Sequence, residues 1–174
     1  NALSPKARTA IREHGWQVVA MGGDPEQRAE GRDWPPFAET MIGTRRLDNL
    51  VECVTRVLDD DVPGDLIETG VWRGGATILM RGVLAAYGVT DRCVWAADSF
   101  EGLPAPDGEN YPADDGIDLS AVEILKVDAD HVRENFARYG LLDAQVRLLE
   151  GWFRDTLPNA PIDSLAVIRL DGDL

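Results

Sequence analysis

"DLIETGVWRGGATILMRGVLAAYG", residues 65–88, changes character partway along. Asp65 to Val71 form a short apolar run of the length and composition of a buried strand. From Gly75 the apolar residues continue beyond strand length and stop at Gly88, which reads as a helix with its terminator. Gly70 and the pair Gly74-Gly75 lie at the junction. Glycines there let a backbone approach a ligand closely and offer it the N–H groups of a helix start.

The same unit recurs downstream. "CVWAADSF" (93–100) is a second strand, and a polar loop follows from Glu101 to about Leu119, then a helix to about Tyr139. "QVRLLEGW" (145–152) is a third strand and "SLAVIRLDGD" (164–173) a fourth. Strands that are apolar throughout and alternate with helices predict a mostly parallel α/β sheet covered on both faces. Upstream, Leu47, Leu50, Val51, Val54 and Leu58 recur at helical spacing until "DDDVPGD" (59–65) ends the stripe. Residues 1–43 have weak periodicity, with Gly22-Gly23 and "DWPPFAE" (33–39). They are expected to be a short N-terminal helix and a mobile cover with a proline-stiffened hinge. Residues 44–174 are the α/β domain. The chain opens without methionine and stops at Leu174, directly after the fourth strand. A sheet ending there would expose an edge or lack strands, so the chain reads as a piece whose C-terminal strands are absent.

A length of 174 residues suits one domain, and 44% hydrophobic content is enough for a core. The formal charge is -14, from 31 acids against 17 bases. Phosphate binding needs clustered Lys and Arg, so this field excludes a nucleic-acid partner. No run approaches the roughly 18 apolar residues of a membrane span, and the start does not resemble a signal peptide. Cys53 and Cys93 each sit in an apolar segment and are expected to be buried free thiols of a cytoplasmic protein. Fifteen of the 17 bases are Arg, a coding bias without chemical content.

Ligands of parallel sheets bind beyond the carboxyl ends of the strands. The polar residues at those ends are Glu68, Asp98, Glu150 and Asp171, all acidic. Such a mouth suits a cation, either a metal ion or a positively charged small molecule; the acids also serve solubility. Asp98 ends the strand that follows the glycine turn, where a carboxylate can accept both hydroxyls of a ribose. The dinucleotide fingerprint would need glycine at position 72, which holds Trp72, and no Lys follows Gly75 as a phosphate loop requires. Taken alone, E-x-G-x-x-x-G also fits a tight turn with no ligand. In "RLDGDL", Asp171 and Asp173 suit a hard cation, Mg²⁺ or Ca²⁺, although two carboxylates are too few for a full site and a solvated Asp-Gly turn is the alternative. His14 and His131 are far apart and read as surface or core residues. Trp152 could wall a nucleobase or pack in the core. The loop 101–118 is long for its place, a substrate-facing lid or a disordered link.

Taken together, "TMIG…RRLDNL" (40–50), "ETGVWRGGA" (68–76), "ADSFEGLP" (97–104), "RYGLLDAQVRLLEGWFRDTLP" (138–158) and "RLDGD" (169–173) resemble the macrocin O-methyltransferase family. The resemblance runs from about Thr40 to the chain end and is loose before Trp34. It implies a Rossmann-like class I methyltransferase fold and an S-adenosylmethionine- and metal-dependent enzyme that methylates deoxysugar hydroxyls of glycosylated antibiotics. On that resemblance, Glu68, Gly70 and Arg73, Gly74 and Gly75 hold the methionine half of the cofactor. Asp98 takes the ribose hydroxyls beside Ser99, Gly151 and Trp152 border the adenine, and Met41 and Ile42 close over the cofactor from the N-terminal segment. Asp171 matches a Mg²⁺ ligand and general base, with two further ligands expected from a paired Asp-Asp beyond this chain's last residue. A small glycosylated natural product is the expected partner, and a homo-oligomer is left open.

The chemistry agrees with the acid-lined mouth, because the cofactor's sulfonium is a cation. Three other readings compete: a catechol-type phenol O-methyltransferase, an NAD-dependent oxidoreductase that Trp72 counts against, and a nucleoside-binding module without catalysis.

Overall fold

The computed structural model describes residues 24–114, 116 and 118–173, together with Glu13. Of the segment 1–43, expected to hold a short N-terminal helix and a mobile cover, residues 1–23 other than Glu13 lie outside the described residues, His14 among them. The first helix described, α1 (Pro25–Glu30), starts on Asp24, whose carboxylate accepts the Glu26 N–H at 2.9 Å, and ends on Gly31.

Helix α2 (Thr44–Asp59) buries Leu50 and Val54 of the predicted stripe, with Leu47, Val51 and Leu58 packed beside them. The sheet has four strands: β1 (Asp65–Thr69), β2 (Val94–Asp98), β3 (Val146–Glu150) and β4 (Leu165–Leu170). Their order is β3-β2-β1-β4 and every pairing is parallel. The Asp65 carboxylate pins the β1–β2 register, accepting the Cys93 N–H at 2.8 Å and the Trp95 indole N–H at 2.7 Å. Helix α3 (Gly75–Ala86) follows β1, α4 (Ala129–Arg138) precedes β3, and the short α5 (Phe153–Thr156) follows it.

The two faces of the sheet are covered unequally. Leu66, Val94, Ala96, Val146 and Val167 pack under α2, α3 and α4, against Val54, Met80, Leu84, Val132 and Phe136. Ile67, Trp95 and Ala97 face the other way, under Phe153, Leu157 and Ile162. On β4, Ile168 and Leu170 remain exposed.

Two expectations need correction. The helix read from about Leu119 begins at Ala129, because the Asp128 side chain caps it by accepting the His131 N–H at 2.7 Å. Before it, Glu123–Leu125 form one 3₁₀ turn in the loop. Nor are the thiols buried: Cys53 is exposed and Cys93 half-buried. The helical period leaves Cys53 outside the stripe of Leu50 and Val54, so an apolar segment did not imply an apolar environment. No helix among the described residues is long and apolar enough to cross a membrane.

Candidate active site

A cleft of about 310 Å³ opens at the carboxyl ends of the strands, at the lower end of the range for small-molecule sites. Its walls come from the turn after β1, the loop after β2, the start of α5, the residues after β4, and Thr40 to Ile42 ahead of α2. Among the described residues, four acids line it, Glu68, Asp98, Asp171 and Asp173, against one base, Arg46.

Glu68 is the penultimate residue of β1, and its side chain is buried. Thr77 of α3 donates its hydroxyl to one oxygen, and Arg169 of β4 donates to the other at 2.6 Å. Burial pushes the Glu68 carboxyl up to about 7, against the opposing pull of Arg169 and the Thr77 hydrogen bond. The second arm of Arg169 donates to Asp171 at 2.7 Å. One guanidinium thus bridges a buried carboxyl and a half-exposed one. Asp173 is raised as well, first by burial and then by the charge of Asp171.

Asp98 is held from both sides. One oxygen accepts the Val71 N–H of the glycine turn at 2.7 Å, and the other accepts the Phe100 N–H at 2.9 Å. Each carboxylate oxygen retains a further acceptor site. The carboxylate therefore fastens the end of β2 to the turn after β1. Ser99 donates its hydroxyl to the Gly102 carbonyl at 3.0 Å, which shapes the loop carrying Leu103 and Pro104 into the wall.

Of the residues singled out in the sequence, Met41, Ile42, Glu68, Gly70, Asp98, Ser99, Trp152 and Asp171 line this cleft. Arg73, Gly74, Gly75 and Gly151 do not. The Arg73 guanidinium stacks on the Trp72 ring 4.2 Å from its centroid and donates to the carbonyls of Pro36 and Ala38 at 3.2 and 3.1 Å. A Cβ on Gly75 would fall 2.7 Å from the Glu39 backbone, so what approaches this glycine is the chain itself. Glu150 is also turned away from the cleft, and pairs with Arg133 on the exposed side of α4. His131 is exposed on the same helix.

Several lining residues carried no signal that singled them out, among them Gly31, which abuts the Met41 and Ile42 backbone, Arg46, Leu125 and Phe153. Leu125 is brought in because the Trp72 indole donates to the Ile124 carbonyl at 2.7 Å. That bond ties the long loop to the glycine turn. Among the described residues, no group of three or more His, Cys, Asp or Glu is placed to hold a metal ion.

Residues 6–174 match the profile of the macrocin O-methyltransferase (TylF) family. Demethyldecarbamoylnovobiocin O-methyltransferase of Streptomyces niveus is 58% identical over 150 residues, 86% of this chain and 57% of that protein. A Streptomyces olivaceus enzyme, 8-demethyl-8-(2,3-dimethoxy-alpha-L-rhamnosyl)-tetracenomycin-C 4'-O-methyltransferase, is 59% identical over 161 residues, 91% of this chain and 62% of that one. The solved structure of the O-methyltransferase NovP superposes with a TM-score of 0.84 at 57% identity, over 87% of this chain and 63% of that chain. This chain therefore spans about three fifths of the length of the relatives it matches. With its parallel α/β sheet and its cleft at the strand ends, the chain belongs to the macrocin O-methyltransferase family.

Proposed function

We propose that the protein containing this chain is a cytoplasmic, S-adenosylmethionine-dependent O-methyltransferase acting on a deoxysugar hydroxyl of a glycosylated natural product. The observation that carries the proposal is the acid-lined cleft in which Asp98 is fixed by the glycine turn. An adenosine ribose offers two hydroxyl donors to such a carboxylate, and a sulfonium is favoured by the surrounding negative charge. The cofactor supplies an electrophilic methyl group. Both curated relatives described above are O-methyltransferases, and the name of one specifies a rhamnosyl-bearing compound.

In this reading Glu68, buried behind Gly70, holds the base of the methionine end, while Trp152 and Phe153 form the apolar wall for the adenine. Met41 and Ile42 exclude water from the opposite side. Asp171 receives the proton of the acceptor hydroxyl, and Arg169 keeps its carboxylate turned to the cleft mouth. A lone carboxylate is too weak a base for a free alcohol. The proposal therefore includes Mg²⁺, which when bound would lower the pKa of a coordinated sugar hydroxyl. Asp171 and Asp173 suit that ion: they are neighbouring carboxylates in the cleft, and the charge of Asp171 helps raise Asp173. Two carboxylates are only part of an octahedral oxygen set. Positioning of hydroxyl and methyl in line is the remaining contribution of the walls.

Calorimetric titration with S-adenosylhomocysteine, in Mg²⁺ and with NAD⁺ as comparison, tests the cofactor. Binding of S-adenosylhomocysteine alone is expected. Binding of NAD⁺ alone would sink the proposal in favour of an oxidoreductase.

A further inference from the structure

Residues 33–42 run from α1 to the cleft, and apolar burial does little to hold them. Pro35 and Ile42 are buried, but Trp34 is 54% exposed and Phe37 68%. Polar contacts hold this strap instead: Arg28 donates to the Asp33 carboxylate at 3.0 Å and the Thr40 carbonyl at 3.1 Å, Arg73 donates to the carbonyls of Pro36 and Ala38, and Glu39 makes three more. Its carbonyl accepts the Gly75 N–H at 2.9 Å, at the start of α3. One carboxylate oxygen accepts from the Arg138 guanidinium at 3.1 Å and the other from the Tyr139 hydroxyl at 2.9 Å, both at the C-terminal end of α4. Arg138 is itself aligned by Asn135, whose side-chain amide oxygen Oδ1 accepts from it at 2.8 Å. Asn135 is buried, and its amide donates to the Arg73 carbonyl in the glycine turn at 2.8 Å. Glu39 thus joins the strap to two helices and, through Asn135, to the turn after β1. The three residues that follow it, Thr40, Met41 and Ile42, line the cleft.

We infer that Glu39 is a positioning residue: its carboxylate, clasped by Arg138 and Tyr139, holds Met41 and Ile42 as a wall of the cleft and sets the rate at which the bound cofactor leaves. The second half rests on the reading of the cleft as the S-adenosylmethionine site. A segment with few buried apolar contacts opens at low cost, so the hydrogen bonds that close it govern its opening. Gly75 shows why this arrangement is specific. The Glu39 backbone occupies the space a side chain would need there, so strap and helix start are shaped to one another.

The test uses the full-length protein and two readouts. Amide hydrogen exchange in the ligand-free protein follows the strap, with the Gly75 N–H as its reporter. Stopped-flow tryptophan fluorescence follows release of S-adenosylhomocysteine. Glu39→Ala is expected to speed both by about three- to tenfold, the value of one or two such hydrogen bonds. Tyr139→Phe removes one hydroxyl from a half-exposed ring and should give a smaller increase of the same sign; it carries the test should Glu39→Ala fail to fold. Combined with Glu39→Ala, it should be less than additive, because both changes remove the bond between the Glu39 carboxylate and the Tyr139 hydroxyl. Unchanged exchange in both variants would overturn the inference. Faster exchange with an unchanged release rate would overturn its second half. A wild-type protein that does not bind S-adenosylhomocysteine would overturn the cofactor reading, while the exchange measurement would still decide whether Glu39 holds the strap.

Discussion

The carbonyl oxygen of Asp171 occupies the space in which a side chain on Gly70 would begin. A Cβ built on Gly70 would lie 1.9 Å from that oxygen, and Gly70 has φ +84°. The turn after β1 and the end of β4 are therefore one unit: the Asp171 N–H also donates to the Thr69 carbonyl at 2.8 Å. The candidate cofactor turn and the candidate base are set in register by direct backbone contact, and the Arg169 guanidinium adds a side-chain tie between Glu68 and Asp171.

Gly70→Ala should accordingly disturb both. Strain at positive φ and the clash together are expected to cost about 2–4 kcal/mol of stability. Urea denaturation measures that loss. A stability within 0.5 kcal/mol (roughly the scatter of neutral surface changes) would mean that the two segments separate freely.

Glu68 makes a pH-dependent contribution whose sign follows from its burial. Its carboxyl is raised from 4.5 to about 7 in the folded state. Between those values the folded protein holds more protons than the unfolded chain, so this group's contribution to stability falls as pH rises. The loss is complete above the folded value and is on the order of 3 kcal/mol. The stability of wild type minus that of Glu68→Gln should fall by this amount between about pH 4.5 and 7.5. A difference that stays constant across the window would show that Glu68 titrates normally.

Arg169→Met removes the cation that faces this carboxyl at 2.6 Å. At pH 8 the buried carboxylate is left unpaired, and a loss of about 3 kcal/mol is expected. At pH 5 the protonated carboxyl needs no cation, so the same substitution should cost much less. Equal losses at both values would mean that Arg169 acts through Asp171 and packing rather than through the charge of Glu68.

Asp98→Asn exchanges one acceptor oxygen for a donor. Either Val71 or Phe100 then loses the acceptor for its N–H. The expected cost is about 1–2 kcal/mol in stability. Affinity for S-adenosylhomocysteine should fall by at least tenfold in calorimetry, because the carboxylate also faces the cleft. Retained affinity would remove Asp98 from the proposed ribose site.

Addition of a chelator gives the test of Mg²⁺. Methyl transfer by the full-length protein should cease with EDTA and return with Mg²⁺, while S-adenosylhomocysteine binding persists. Transfer that continues without divalent ions would leave Asp171 and Asp173 as solvated acids.

Local periodicity in the sequence determined the elements that are regular over their own length. The stripe of Leu47 to Leu58, the β1-turn-α3 unit and the four apolar strands each carry their pattern within a few consecutive residues. Placement at strand ends also brought Glu68, Asp98 and Asp171 to one cleft. Tertiary structure alone decided which neighbour each residue meets. Glu150 is paired in register with Asp98, yet β3 is an edge strand and Arg133 of α4 takes its carboxylate out of the cleft. Gly75 matched a ligand-binding turn and is filled by the Glu39 backbone, from a segment more than 30 residues earlier. Leu125 reaches the cleft only through a hydrogen bond spanning 52 positions. A periodic pattern states which side of an element is apolar, whereas these contacts join residues far apart in the chain. They exist only once strand order and loop paths are set by packing the whole sheet.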